Sequence, residues 1–188
     1  MRIFLADLGH NLLTKSSDVY PLGVANLATY LGRHFTDERL DVQLFREPQD
    51  LKRALDAGAP DLLGLSNYAW NEELSYHFAK YTKAKSPRTL TVMGGPNFPL
   101  VRSVKETFLR SLPAVDAYVD GPTYEGERAL LELVRRFHGE KRSIEGTLSA
   151  PIAGNHWIDW RKDELVLGPE VARIQDLDEI PSPYLAGL

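Results

Sequence analysis

Along residues 1–139, short apolar segments alternate with longer segments whose apolar residues recur at helical spacing. Residues 2–8 are apolar almost throughout, which is typical of a strand covered on both faces. From Pro21 onward, Val24, Leu27 and Leu31 fall on one helical stripe. The same alternation predicts further strands at residues 40–45, 61–67, 88–93 and 115–119, and helices at residues 21–35, 48–57, 71–87, 100–112 and 123–138.

Five strands that alternate with five helices, through connections too long for hairpins, predict an α/β fold. The strands should lie parallel, with right-handed crossovers that place helices on both faces of the sheet. We therefore expect a flavodoxin-like, doubly wound, five-stranded parallel sheet with the strand order 2-1-3-4-5.

The pattern changes after Gly139. Residues 144–148 are predicted to form a short strand, residues 150–169 to be irregular, and residues 172–188 to form an extended connector spaced by prolines. The domains expected are an α/β domain at residues 1–139 and, at residues 140–188, an extension and connector toward a missing domain. Trp157 and Trp160 are interpreted as packing residues of the extension.

Composition excludes several classes of function. The net charge is −4 and the pI is about 5.7, so no basic field indicates a nucleic-acid partner. No stretch approaches the roughly 18 apolar residues of a membrane span, and we expect a cytoplasmic protein with no membrane partner. The chain has no cysteine. Within these residues there is consequently no disulfide, no thiol nucleophile and no cysteine-ligated iron–sulfur cluster.

In open parallel sheets, ligands bind beyond the carboxyl ends of the strands. Here the loops at that edge are rich in glycine, small polar and aromatic residues, which permit close approach to the backbone and offer flat apolar surfaces. No catalytic residue is predicted among them. The candidate binding residues are His10, Ser66, Asn67, Trp70, Gly94, Gly95, Pro96, Gly121, Glu125 and Gly126.

Familiar catalytic and phosphate-binding motifs do not occur in these loops. The loop after strand one holds only Gly9, so it lacks the Gly-x-Gly-x-x-Gly fingerprint, and there is no Walker loop. A phosphoacceptor receiver would need an aspartate at the end of strand three, where this chain has Ser66 and Asn67. Of the five histidines, His10 alone lies in a candidate ligand loop.

Several short motifs in register resemble one family, the N-terminal cobalamin-binding domain of class B radical S-adenosylmethionine enzymes. The motifs are Gly64-Leu-Ser66 followed by Trp70-Asn71, then Met93-Gly-Gly-Pro96, then Asp116 to Val119 leading to Glu125-Gly126-Glu127, and finally residues 177–184. The last motif is similar to the family's junction with the radical domain.

The resemblance implies cobalamin lying across the strand ends, with its nucleotide tail beside the Ser66 loop and the Gly94-Gly95 turn. The Asp-x-His-x-x-Gly signature, which supplies a lower cobalt ligand in related domains, is missing, because Asp7 and His10 have a different spacing. We therefore expect no histidine of this chain on cobalt and no other metal site. The loop from Gly121 is also longer than usual in the family.

The chain has no Cys-x-x-x-Cys-x-x-Cys motif, so S-adenosylmethionine and the 4Fe-4S cluster are expected only in the missing radical domain, in cis or as a separate subunit. The implied function is that of a module serving methyl transfer or related radical chemistry, which is not catalytic alone. Two alternatives stay open: a protein-docking or scaffold domain without corrinoid, and a small enzyme acting on a nucleotide or phosphorylated substrate.

Overall fold

The computed structural model describes residues 1–10, 20–121 and 125–188. Within these ranges seven strands form one sheet in the order β2-β1-β3-β4-β5-β6-β7. The strands are β1 Arg2–Ala6, β2 Asp41–Phe45, β3 Leu62–Ser66, β4 Leu90–Gly95, β5 Ala117–Asp120, β6 Asn155–Asp159 and β7 Glu164–Leu167. The helices are α1 Leu22–His34, α2 Pro48–Ala57, α3 Glu72–Lys85, α4 Arg102–Arg110, α5 Gly126–Gly139 and α6 Ile144–Thr147, with a 3-10 turn at Leu177–Glu179.

The first five strands pair in parallel in the predicted order 2-1-3-4-5. The predicted count of five strands is wrong, because the sheet contains seven strands among the described residues. Alternate side chains of each strand enter two separate apolar cores. One core lies under α1 and α5 and includes Leu5, Val92 and Val119. The other lies under α2, α3 and α4 and includes Leu63 and Tyr118. The central strands are therefore buried on both faces, as their nearly continuous apolar sequences predict.

The prediction of an irregular segment at residues 150–169 is wrong. β6 pairs antiparallel with β5, where His156 lies opposite Tyr118, and β7 pairs antiparallel with β6. The alternation of apolar and polar residues in β6 and β7 is too short to predict strands. These strands form because the edge of β5 has backbone groups that need hydrogen-bond partners. Trp157 is confirmed as a packing residue because it is buried in the α1/α5 core, whereas Trp160 is 51% exposed.

Three local predictions are also corrected. Residues 144–147 form α6 and not a strand, since Ser143 caps the helix by accepting a hydrogen bond from the Gly146 amide at 3.1 Å. β4 continues through Gly94 and Gly95 and does not end at residue 93. On α4, helical spacing predicts that Val101, Val104 and Phe108 share the buried face, but the buried residues are Lys105 and Leu109, and Val101 and Val104 are exposed.

The segment after β7 runs back over α1 and α5. Glu179 contacts both helices: its carbonyl accepts a hydrogen bond from His34 Nε2 at 2.9 Å, and its carboxylate lies 2.9 Å from Arg128 Nη2. Ile174, which belongs to this segment, is buried in the α1/α5 core. The boundary at residue 139 stays a prediction. Across the ranges that the structure describes, every helix is too short or too polar to span a bilayer.

Candidate functional site

A cavity of about 790 Å³ opens at the carboxyl ends of β1, β3, β4 and β5, between the N-terminal ends of α1 and α5. We call it the inter-helix slot. Apart from a few polar groups, its walls are aliphatic side chains and exposed backbone. Six glycines contribute to these walls, namely Gly23, Gly64, Gly94, Gly95, Gly121 and Gly126. Such walls suit a bulky ligand that must lie close to the backbone.

The end of β4 leaves little or no room for side chains. Gly95 has a φ of +134°, and a Cβ there would lie 2.6 Å from the Asn67 carbonyl oxygen. A Cβ on Gly94 would lie 3.1 Å from the Val119 Cβ. Since the Asn67 amide also donates to the Gly94 carbonyl at 2.6 Å, the two loops are held in direct contact. The Gly94-Gly95 pair therefore sets the floor of the slot.

Ser66 links the loop after β3 to the loop after β1. Its hydroxyl donates to Asp7 Oδ1 at 2.6 Å and accepts from Asn71 Nδ2 at 3.1 Å. Asn71 Nδ2 also donates to the Leu8 carbonyl at 3.2 Å, and Asn71 Oδ1 accepts from the Tyr68 amide at 2.9 Å. The position of Asn71 directly before α3 predicts a helix cap, but its side chain makes no capping bond and holds these loops together instead.

A second cavity, of about 1260 Å³, lies beside the slot and shares Asp7, Gly23 and Tyr68 with it. We call it the outer cavity. The rings of Tyr68 and Trp70 stack at 4.4 Å between centroids, and Trp70 is 64% exposed. His10 Nε2 lies 2.7 Å from the Trp70 carbonyl oxygen, to which the protonated nitrogen donates. The aromatic pair thus forms a flat platform where the slot meets the surface.

The structure places the predicted site residues in three groups. Five of them line the slot: Ser66, Gly94, Gly95, Gly121 and Gly126. Two, His10 and Trp70, line the outer cavity. The remaining three, Asn67, Pro96 and Glu125, line neither of these cavities.

Two of these three residues have other contacts. Asn67 is fully buried, and its Nδ2 donates to the Tyr118 hydroxyl at 3.0 Å. Glu125 lies 3.7 Å from the guanidinium of Arg173. Of the predicted insertion after Gly121, residues 122–124 lie outside the described residues, as do residues 11–19 of the first loop.

Sequence reasoning missed three polar residues of the slot: Asp7, Tyr68 and Glu127. Burial, reinforced by the charge of Asp7, raises the pKa of the Tyr68 hydroxyl. Burial, reinforced by the charge of Glu125, likewise raises the pKa of the Glu127 carboxyl. The sequence contained a signal for each of these residues. Asp7 follows the end of β1, and Tyr68 and Glu127 directly follow the predicted site residues Asn67 and Gly126.

A buried ionic cluster lies behind β5, on the face of the sheet opposite the slot. Asp120 is fully buried, and its Oδ2 lies 2.6 Å from Lys105 Nζ and 3.1 Å from His156 Nε2. The ring of Phe98 covers the Lys105 ammonium at 4.9 Å. Among the residues that the structure describes, no three histidine, cysteine or carboxylate side chains are grouped as metal ligands.

A comparison with protein families finds one match in this region. The family described as the B12 binding domain matches residues 11–134. The matched range includes α1, the candidate loops after β3, β4 and β5, and most of α5.

Two curated relatives align with the chain. The cobalamin-dependent radical SAM methyltransferase TokK of Streptomyces tokunonensis is 32% identical over 174 residues, which are 89% of this chain and 23% of the relative. The 2-(S-pantetheinyl)-carbapenam-3-carboxylate methyltransferase of Streptantibioticus cattleyicolor is 33% identical over 132 residues, which are 69% of this chain and 17% of the relative. The chain therefore spans about a quarter or less of each relative.

Solved structures of OxsB, a cobalamin-dependent S-adenosylmethionine radical enzyme, share the fold. The form with aqua-cobalamin and S-adenosylmethionine bound superposes with a TM-score of 0.68 at 18% identity, over 99% of this chain and 24% of that chain. The apo form gives a TM-score of 0.64 at 19% identity, again over 99% of this chain and 24% of that chain.

Proposed function

Given that this chain belongs to the B12-binding domain family, we propose that it binds cobalamin as the corrinoid-binding unit of a radical S-adenosylmethionine methyltransferase. The family match confirms the resemblance found in the sequence motifs. It also favours this function over a scaffold domain without corrinoid and over an enzyme acting on nucleotides.

The observation that carries the proposal is the pair of adjoining cavities. A glycine-walled slot reaches between α1 and α5, and a broader outer cavity opens beside it at the surface. Cobalamin has matching parts, a narrow nucleotide tail and a broad macrocycle. We assign the tail to the slot, where Ser66, Gly94 and Gly95 permit close backbone contact, and the macrocycle to the outer cavity.

The outer cavity suits a flat, largely apolar ring system. The stacked Tyr68–Trp70 pair presents an exposed indole, and His10 holds the Trp70 backbone. Aromatic faces favour contact with planar ligands. We propose that Trp70 shields one face of the macrocycle from water, and that His10 positions the Trp70 loop and does not bind cobalt.

Bound cobalamin would supply a cobalt centre able to carry a methyl group. The residues of this chain would hold it, orient it and limit access of water. Because the chain contains no cysteine and spans less than a quarter of the TokK length, we propose that a radical domain outside these residues supplies the 4Fe-4S cluster and S-adenosylmethionine. That domain would lie in cis, as in a fused enzyme.

Cobalamin retention tests the proposal. The purified protein is mixed with hydroxocobalamin and desalted, and the visible spectrum of the protein fraction should keep the corrinoid bands. Gly94→Val should abolish retention, because the added side chain meets Val119 and displaces the end of β4 at the slot.

The matched control is Gly32→Val on α1, where an added Cβ meets nothing within 4 Å. Its retention should equal that of the wild type. Circular dichroism of both variants separates loss of binding from loss of fold. Absence of corrinoid bands from the wild-type fraction would refute the proposed function.

A further inference from the structure

Glu127 is the carboxylate of α5 that faces the inter-helix slot. It lies in the first turn of the helix, between the slot-lining residues Gly126 and Leu130. Among the described residues, no other side chain forms an ion pair or hydrogen bond with its carboxyl group, which receives a hydrogen bond from its own backbone amide. An ionisable group in an apolar cavity without a charged partner is costly unless it is neutral or meets a ligand.

Resting on the proposed function, we infer that Glu127 is a specificity residue for the nucleotide tail of cobalamin, to which its protonated carboxyl group donates a hydrogen bond. The tail carries a phosphate anion and a heterocyclic base with acceptor nitrogen. Both features disfavour an ionised carboxylate and favour a neutral donor at this position.

The surroundings of Glu127 support the neutral form. Burial raises the pKa of its carboxyl group, against the smaller lowering by the hydrogen bond from its own amide, and the nearby charge of Glu125 adds to the rise. Among the described residues, the other titratable groups that line the slot are Asp7 after β1 and Tyr68 after β3, neither of which supplies a positive charge. From α1 the slot receives only Gly23, Val24 and Leu27.

Two cations that flank the start of α5 form ion pairs with residues that do not line the slot. Arg128 pairs with Glu179 at 2.9 Å, and Arg173 lies 3.7 Å from Glu125. A ligand that enters the slot therefore meets a carboxyl group that must take up a proton, or keep one, before it can act as a donor. Tail binding should be linked to the protonation of this one group.

The experiment measures the dissociation constants of cobalamin and of cobinamide, which lacks the nucleotide tail, between about pH 5 and pH 8. Wild-type affinity for cobalamin should fall as the pH rises through the pKa of Glu127, approaching about tenfold per pH unit above it, because one proton is linked to binding. Wild-type affinity for cobinamide should not follow this dependence.

In Glu127→Gln the amide still donates but cannot ionise, so the affinity for cobalamin should become independent of pH over the same range. Glu132→Gln, on an exposed part of α5 where Glu132 pairs with Arg135, is the matched control and should keep the wild-type profile. Protonation of cobalamin itself affects the wild type, Glu127→Gln and Glu132→Gln equally. It therefore cancels when the pH dependence of their cobalamin affinities is compared.

The outcomes separate this inference from the proposed function. A pH dependence that persists in Glu127→Gln would overturn the role of Glu127 while leaving cobalamin binding intact. Equal wild-type affinity for cobalamin and cobinamide would show that the tail makes no contact in the slot, and would also overturn it. Binding of neither corrinoid would remove both the function and the inference. If Glu127→Gln fails to fold, Glu127→Ala replaces it, and a pH dependence that persists in that variant would equally overturn the role of Glu127.

Discussion

The loops of the site are held together by hydrogen bonds from single side chains, and Ser66 is an example. Its hydroxyl bonds to Asp7 and Asn71, and its carbonyl accepts from the Ser75 hydroxyl at 2.8 Å, so one residue joins β3 to the first loop and to α3. His10 has a similar local role through its bond to the Trp70 carbonyl. These groups hold the loops at the sheet edge in one arrangement before any ligand arrives.

Replacing His10 by alanine should leave the visible spectrum of retained cobalamin unchanged. Nε2 is directed to the Trp70 carbonyl, so the ring serves the loop and not the cobalt. A modest loss of affinity, roughly 1 kcal/mol for one hydrogen bond, is compatible with that role. His77→Ala, on the exposed face of α3, is the control. A clear spectral shift in His10→Ala alone would show that the other ring nitrogen, Nδ1, coordinates cobalt.

At the scale of elements, the Lys105–Asp120–His156 cluster ties α4 and β6 to the end of β5. Gly121, which lines the slot, directly follows Asp120. The cluster therefore anchors the strand that leads into the slot wall. A buried charge that loses its counterion is strongly destabilising, whereas an exposed ion pair contributes little.

Asp120→Asn should lower the free energy of unfolding by roughly 3–5 kcal/mol, because it leaves the Lys105 ammonium buried without its counterion. The matched control is Asp163→Asn, which removes one of the two carboxylate partners of another α4 cation, Arg110, and leaves it paired with Glu106. Asp163 is 79% exposed in its side chain, and asparagine tolerates its positive φ, so the change should stay within about 0.5 kcal/mol. Urea denaturation measures both. Equal effects would contradict a stabilising role of the cluster.

At the scale of the whole molecule, the sheet continues beyond the five parallel strands. β6 and β7 cover the edge of β5, and Trp157 enters the core beneath α5. A fragment that ends at residue 139 would uncover that edge and remove a buried indole. Open strand edges promote association between chains.

We expect the fragment 1–139 to be less stable than the fragment 1–169 by at least roughly 3–5 kcal/mol, the usual effect of deleting one large buried aromatic side chain. Urea denaturation followed by circular dichroism compares the two, with the 188-residue chain as reference. Size-exclusion chromatography should show association only for the shorter fragment. Equal stability and a monomeric shorter fragment would support a domain boundary at residue 139.

The sequence by itself determined the α/β class, the order of the five parallel strands and the edge at which we propose that a ligand binds. These follow from local patterns: apolar runs for strands buried on both faces, helical stripes between them, and glycines at strand ends. The motifs around Ser66 and Gly94 were sufficient to indicate the family. The absence of cysteine was likewise read directly from the chain.

Only the tertiary structure decided which side chains face the slot and how residues 155–167 fold. Glu127 and Glu125 are two residues apart, yet the former lines the slot and the latter pairs with Arg173, because Glu125 is the extended residue before α5 whereas Glu127 lies in its first turn. The β6–β7 hairpin is short and weakly patterned, and it is stabilised by the edge of β5, a partner distant in sequence. Contacts of this kind depend on the packed fold, which local periodicity does not encode.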